Sequence, residues 1–133
     1  MFVSVLLALQ AAQPPSNAPP SPLDAGWRGQ AVCERLFENA QVRTLRCTFP
    51  PGVGHDRHFH APHWGYAVQG ATNRITDASG VRVVTTPTGG SWWSDGTAWH
   101  ETLNVGDTTA VFLIVEPKAT PPEGRLALAP GFL

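Results

Sequence analysis

Short apolar stretches recur along the chain and are separated by turn-forming residues. The strongest stretch is 109–116 (TAVFLIVE), whose nearly continuous apolar run predicts a strand that is buried on both faces. The turn signals recur at intervals of roughly 8–12 residues, which is typical of a β-sandwich or a β-barrel. They lie at 50–54, Gly70, 77–80, 89–90, 95–97 and 104–107. The pattern therefore predicts an all-β domain built from short strands.

Composition agrees with this prediction and narrows the choice of partners. The chain has 133 residues, which fits a single domain with one modest core. Its 13 Gly and 13 Pro residues favour tight turns over long helices. Basic and acidic residues nearly balance, and no basic cluster is present to release counterions from a phosphate backbone. Nucleic acid is therefore not expected as a partner.

The N-terminal segment indicates export. Residues 1–12 contain no charged side chain and include an apolar run, which predicts a signal peptide although no Lys or Arg precedes the run. The run is less than half of the about 20 residues that a membrane span needs, so no stable membrane anchor is expected. Residues 13–30 are rich in Pro and predict a leader or linker, and residues 119–133 predict a loosely held tail. The expected location is periplasmic or secreted, and a disordered cytosolic leader is the alternative.

The two cysteines also bear on the compartment. If a turn at 39–41 joins strands at 31–38 and 42–49, Cys33 lies opposite Cys47 and a disulfide is geometrically reasonable. Closing a loop of about 15 residues would stabilise the fold by about 3 kcal/mol, which suits a small domain in an oxidising compartment. Two buried free thiols in a cytosolic protein are the alternative.

The five histidines are the strongest chemical signal. Four of them, His55, His58, His60 and His63, fall within nine residues of sequence, and His100 lies farther along. Alternate residues of a strand share a face, so His58 and His60 project together as half of a metal site. His63 and His100 each begin another strand-like stretch, so a barrel would bring four imidazoles to one ion. Such a site suits one divalent transition metal: Fe, Mn, Zn, Ni or Cu. His55, in the loop before the site, is expected to be solvated.

The stretch from 52 to 70 (GVGHDRHFHAPHWGYAVQG) resembles the first motif of the cupins, in which Gly is followed six residues later by H-x-H, then by Glu and Gly. Gly52, His58, His60 and Gly70 match in place. His63 stands where the family has its Glu, and its distance from His60 is one residue shorter than usual. The resemblance implies that an imidazole replaces the carboxylate ligand, or that His63 is a general base.

The second cupin motif is matched more loosely. His100 and Asn104 correspond to its His and Asn, whereas its usual Pro and Gly fall at Asp95 and Thr97. The resemblance covers roughly residues 31–118 and implies a single-domain, jelly-roll barrel of the small cupin type. His58, His60 and His100 are then the expected first ligands, with His63 as fourth ligand or catalytic base.

Strand parity predicts the surroundings of the metal. Small or polar residues share the faces of His63 and His100, which leaves room for a ligand; of these, Gln69 and Asn104 are expected to contact a substrate. The opposite face is too apolar to be left wholly in water and suggests a homodimer interface or cover by the N-terminal strand. It contains Phe59, Trp64, Tyr66, Val68, Trp99 and Leu103. The alternative inverts this picture, with the aromatic face as the core and the histidines outside.

The charge of the expected metal ligands narrows the range of substrates. Neutral imidazoles leave the +2 charge of the ion uncompensated, so the site should prefer a small anionic organic molecule. Glu101 is expected to point away, which leaves Asp56 and Asp95 as the nearby carboxylates that loops could bring in. If the ion is Fe(II), the resemblance to all-histidine members of the superfamily implies a metal-dependent, dioxygenase-like enzyme, which is the leading hypothesis. With Zn or Ni, Lewis-acid isomerisation or hydrolysis is expected instead. The alternatives are a non-catalytic metal-binding or ligand-binding module, because four protein ligands could close the coordination sphere, and an interaction protein whose metal is incidental.

Overall fold

The computed structural model describes residues 17–118. The predicted signal peptide at 1–12, the first residues of the predicted leader and the predicted tail at 119–133 lie outside the described residues. Within the described part of the chain, no helix has the length and apolar character needed to cross a membrane.

The described residues form antiparallel sheets, as the turn spacing predicts. One sheet has five strands in the order β3-β4-β11-β6-β9, another has four in the order β5-β10-β7-β8, and β1 pairs with β2 in a short ribbon. The strands are β1 (Gly26–Trp27), β2 (Gln30–Ala31), β3 (Cys33–Glu38), β4 (Val42–Phe49), β5 (Gly54–His60), β6 (His63–Gln69), β7 (Ala71–Asp77), β8 (Gly80–Thr86), β9 (Ser91–Ser94), β10 (Thr97–Asn104) and β11 (Ala110–Pro117).

The core lies between the inner faces of the two larger sheets. The strand β11, which was predicted from its apolar run, is central and pairs with both β4 and β6. On β4, buried and exposed residues alternate, with Leu45, Cys47 and Phe49 inside. Ala71 on β7 and Ile114 on β11 extend the same buried cluster. These side chains form the apolar core of the barrel.

The predicted disulfide is present in the structure. Cys33 and Cys47 are direct partners in the β3–β4 register and are bonded to each other. The turn between the strands differs in detail, because Glu38 pairs with Arg43 and a bulge between Arg35 and Phe37 restores the register at the cysteines. The prediction of the pair was thus correct, although the path to it includes a bulge.

The leader predicted at 13–30 requires a correction in its second half. Pro22 and Ala25 are buried, and Pro20 accepts a hydrogen bond from the backbone N–H of Phe59. The ring of Trp27 lies where a Cβ at Gly54 would be, so only glycine at that position lets β1 approach β5. These contacts offset the ordering entropy that the Pro-rich composition alone could not, and the barrel therefore begins before residue 31.

Candidate metal centre

Three histidines converge inside the barrel from two neighbouring strands. His58 and His60 project from the same face of β5, as their spacing predicts, and His100 on β10 is the register partner of His58. The β5–β10 register shifts on both sides of this pair. Such irregularities change the direction of the histidine side chains relative to a regular antiparallel pair of strands. The ligand nitrogens of the three residues all lie within 4.8 Å of one another.

Hydrogen bonds orient the imidazole of His58. Its Nδ1 lies 2.6 Å from the carbonyl oxygen of Asp56, so Nδ1–H donates and Nε2 carries the free lone pair. This Nε2 lies 3.0 Å from Nε2 of His60 and 2.9 Å from Nε2 of His100. Three ring nitrogens therefore face one point.

His63 lies beside the triad rather than in it. The residue is buried at the start of β6, and its ring centroid lies 4.7 Å from that of His60. Its Nδ1 donates to the carbonyl oxygen of Ala61 at 2.8 Å, which leaves Nε2 as the unprotonated nitrogen. The structure thus brings together three of the four predicted ligands and places the fourth within reach of the group.

Burial keeps these imidazoles neutral. Desolvation lowers the pKa of His58 and of His60, and it lowers the pKa of His100 to about 3. Repulsion from the neighbouring imidazolium forms lowers the pKa of His60 and of His100 further. Neutral imidazole is the form that binds a metal ion, so the site is ready to bind one near pH 7.

A cavity of about 710 Å³ opens onto the triad. Its apolar wall includes Trp92 and Phe112, and its polar wall includes Ser94 and Thr97. The wall contains no Gln69 or Asn104 among the described residues that line it.

The predicted substrate contacts are therefore corrected. Gln69 is exposed at the end of β6, where the strand leaves the cavity. Asn104 is buried, but its amide donates to the carbonyl oxygens of Phe49 and Thr108 and its Oδ1 accepts from the N–H of Gly106. The side chain of Asn104 fastens the loop after β10 and has no donor left for a ligand.

Two further sequence predictions differ from the structure. His55, expected to be solvated, is 2% exposed and stacks on His58 with ring centroids 3.7 Å apart. Its Nε2 donates to the carbonyl oxygen of Pro22, and burial lowers its pKa to about 3. Pro22, which supplies this carbonyl oxygen, lies in the segment that the sequence predicts to be a leader.

The nearby carboxylate is also a different one. Asp56 and Asp95 are exposed, and neither is among the described residues of the cavity wall. Asp77 lies on that wall instead, as the β7 partner of His100. Its Oδ2 accepts from Arg82 at 2.7 Å, and hydrogen bonds from Ser79 and Arg82 lower the pKa of Asp77 to about 2. Glu101, as predicted, points outward and pairs with Arg57.

Sequence reasoning missed Asn73, Asp77 and Arg82. A parity argument on β7 would have found the first two, because Asn73, Ile75 and Asp77 share the face of the buried Ala71. Arg82 follows from pairing alone, since it is the β8 partner of Ile75. Parity shows which residues of β7 point inward, but only the pairing of β7 with β10 makes them part of the site.

The aromatic face lies outside the barrel. Phe59, Trp64 and Val68 are 37%, 41% and 46% exposed, whereas His58 and His63 are 0% and 5% exposed. The inverted arrangement, with the aromatic residues as the core, is therefore wrong.

Comparisons with known proteins identify the fold. No protein-family model matches this chain, and no curated protein sequence matches it either. A cupin domain protein from Bordetella pertussis Tohama I matches with a TM-score of 0.63 and 22% identity, over 76% of this chain and 97% of that chain. The polyketide cyclase RemF from Streptomyces resistomycificus matches with a TM-score of 0.56 and 16% identity, over 86% of this chain and 83% of that chain.

These matches are similarities of fold. A cupin-like protein from Thermotoga maritima adds a third, with a TM-score of 0.50 and 13% identity, over 63% of this chain and 65% of that chain. The chain thus has the all-β barrel of a small cupin-type domain, as the two sequence motifs predicted.

Proposed function

We propose that this protein binds one divalent transition metal ion through His58, His60 and His100 and acts as a metal-dependent, oxygenase-type enzyme on a small anionic organic molecule. The observation that carries the proposal is the convergence of three neutral Nε2 atoms at the wall of a cavity. Three protein ligands leave coordination positions for substrate and dioxygen, as in catalytic rather than structural metal sites.

The donor set fits a cation. His58 Nε2 has one lone pair and two ring nitrogens within 3.0 Å, so hydrogen bonding alone satisfies the cluster poorly. Among the described residues, the buried Nδ1 of His60 has no hydrogen-bond partner. This agrees with an imidazole that binds a metal ion through its Nε2. An ion at the centre would accept all three lone pairs at once.

The nitrogen spacing is compatible with one shared ion. Ligand nitrogens about 2.1 Å from one ion lie about 3.0 Å apart if their bonds meet at about 90° and about 3.4 Å apart at the tetrahedral angle. Nε2 of His58 lies 3.0 Å from Nε2 of His60 and 2.9 Å from Nε2 of His100. The donor set suits Fe, Mn, Zn, Ni or Cu alike.

Charges around the triad support an anionic substrate. The three ligands are neutral, so the ion would keep its charge of +2. Arg82 lies on the same wall but is paired with Asp77, so this pair adds no net charge and the ion is the main source of positive charge. When bound, the metal would supply Lewis-acid or dioxygen chemistry. His63 would take a proton from the substrate at Nε2, because its Nδ1 already donates to the carbonyl oxygen of Ala61.

A non-catalytic binding module is the second candidate. His63 lies close enough to His60 that a small movement of its ring would make it a fourth ligand. A closed sphere of four protein ligands binds a metal well but leaves no position for a reaction. The enzyme and the binding module are therefore distinguished by whether the fourth coordination position of the metal is open to an added ligand.

Export and self-association remain proposals that accompany this function. The disulfide between Cys33 and Cys47 supports an oxidising compartment, in the periplasm or outside the cell. The exposed residues Trp64, Val68 and Trp93 support a homodimer that covers this face.

The decisive experiment measures metal in protein purified without chelator or affinity-tag nickel. We expect one ion per chain, and a loss of affinity of more than about 100-fold in His58→Ala, because a first ligand is removed. Arg57→Gln is the matched control, since Arg57 is exposed on the other face of β5. Absence of metal in the wild type, together with failure to bind added Fe(II) or Mn(II), would refute the proposal.

The enzyme and the binding module differ in a second measurement. An iron-loaded sample that consumes dioxygen with a diketone, thiol or catechol supports the enzyme. Stoichiometric iron with no dioxygen uptake and no binding of nitric oxide supports the closed binding module.

A further inference from the structure

Asn73 is a buried polar residue that the proposed chemistry does not use. Its side chain is 5% exposed, lies on the wall of the cavity, and has an Oδ1 without a hydrogen-bond partner among residues 17–118. Leaving a buried acceptor unpaired is unfavourable, so such groups in native proteins ordinarily have a partner. Because that oxygen has almost no accessible surface, the amide must turn towards the cavity before a ligand with an O–H or N–H donor can supply the partner.

Asn73 lies at a fixed distance from the triad. Asp77, the register partner of His100, is four residues farther along β7 on the same face. At about 3.3 Å per residue the two positions are about 13 Å apart, so a ligand that reaches from the triad to Asn73 is on the order of 10 Å long. The cavity of about 710 Å³ has room for such a molecule.

The wall between the two ends is apolar and largely aromatic. Ile75 lies midway between Asn73 and Asp77 on the same strand face. Across the cavity wall, the rings of Trp92 and Phe112 meet edge to face with centroids 5.6 Å apart. Trp92 occupies the space that a Cβ at residue 65 would fill, so Gly65 lets the indole lie flat against β6. Such a wall suits a flat, apolar body.

From these three features we propose that the cavity binds an elongated aromatic acid with a hydroxyl or N–H donor at the end remote from its acid group. The acid end lies at the triad beside Arg82, the rings lie along Trp92 and Phe112, and the remote donor bonds to Oδ1 of Asn73. Asn73 is then a residue that determines specificity. The assignment rests on the proposed function only for the acid end, because the other contacts need no metal.

The test compares two probes that differ in one hydroxyl group. Binding of hydroxybiphenyl carboxylate and of biphenyl carboxylate is measured by calorimetry, with metal-loaded and with metal-free protein. We expect the wild type to prefer the hydroxylated probe about three- to tenfold, which corresponds to one hydrogen bond to a buried acceptor. In Asn73→Leu the preference should disappear, because the acceptor is replaced by an apolar group of similar size.

The controls separate this inference from the proposed function. Arg74→Gln, on the exposed face of the same strand, should keep the preference of the wild type. If Asn73→Leu does not fold, the wild-type preference still decides the question. A preference that persists without any bound metal supports the Asn73 site even where the proposed metal function fails. Equal affinity for the two probes, or no binding of either, overturns the inference.

Discussion

The two faces of β5 and β6 carry opposite kinds of residue. The inner face holds His58, His63 and Gly65, all buried, whereas the outer face holds Phe59 and Trp64, which are 37% and 41% exposed. A fold built only for stability would place the aromatic rings inside and the imidazoles in water. The placement of imidazoles inside and of aromatic rings outside indicates that the inner face of these two strands is shaped for binding. Other parts of the barrel then supply the stability.

Stability comes mainly from an apolar cluster that adjoins the histidines. Leu45, Phe49 and Ile114 form this cluster together with the disulfide, and Phe49 and Ile114 also line the cavity. On the outer face, Arg57 lies 3.9 Å above the ring of Trp99 and pairs with Glu101, so polar groups partly cover the aromatic surface.

Acidification should give the largest effect, and it acts on the inner face. His55, His60 and His100 have folded pKa values well below the ordinary 6.5, so the unfolded chain binds protons that the folded chain does not. Stability should therefore fall as pH decreases below 6.5 and continue to fall towards pH 3. Each histidine contributes a slope of up to about 1.4 kcal/mol per pH unit, several kcal/mol in total between pH 7 and pH 5. Urea unfolding of metal-free protein measures this, and a flat profile would contradict the buried cluster.

Removal of the disulfide should give the second-largest loss of stability. The double variant Cys33→Ser/Cys47→Ser opens a closed loop of about 15 residues and should lose about 3 kcal/mol of unfolding free energy. Thermal unfolding with and without a reductant provides the measurement. The reductant should lower the midpoint of the wild type and leave that of the double variant unchanged. Equal midpoints for the reduced and oxidised wild type would show that the stability of the apolar cluster does not depend on the bond.

Gly65→Ala tests the inner face by size alone. A Cβ at this position would lie 2.2 Å from the indole of Trp92, so the ring must move into the cavity. We expect a loss of about 1–3 kcal/mol and weaker binding of the aromatic probes. Gly29→Ala serves as a control without contacts, since a Cβ there meets no atom within 4 Å, although its φ of 80° carries its own backbone cost. A variant with unchanged stability and unchanged probe affinity would exclude this packing.

Trp64→Ser should give the smallest effect, because it changes the outer face. Trp64 stacks on Tyr66 with centroids 5.8 Å apart and pairs with Trp93 across β6 and β9. Its removal should cost less than about 1 kcal/mol in the monomer and leave metal binding unchanged. If the homodimer exists, analytical ultracentrifugation should show weaker association. A loss of metal affinity would show that the two faces are coupled.

The strand pattern and the histidine spacing predicted an all-β domain and half of the metal site, and the resemblance to the two cupin motifs added the type of barrel and His100. Alternation along β5 placed His58 and His60 on one face, and turn spacing placed Cys33 opposite Cys47. Both are local properties, because a strand repeats every two residues and a short hairpin has few registers. His100 was found through its motif rather than through its spacing.

The prediction failed where long-range packing decides the environment. Sequence parity places Asn104 on the inner face, and it is indeed buried there, but only the folded loop reveals that its amide is already bonded to Phe49 and Thr108. Likewise, His55 is buried because Pro22 folds back over β5. Whether a polar side chain is free to bind a ligand depends on partners distant in sequence, which no local pattern contains.

The amino-acid sequence by itself determined the class of fold, the disulfide pair and the shared face of His58 and His60, since each follows from periodicities of two residues or from short-range pairing. The resemblance to the second cupin motif added His100 to the imidazole cluster. Only the tertiary structure decided which side chains surround that cluster. Asn73, Asp77 and Arg82 reach the cavity because β7 and β8 pair beside β10. Strand order in a sheet is set by the balance of packing over the whole barrel, so it is a property of the complete chain rather than of any segment.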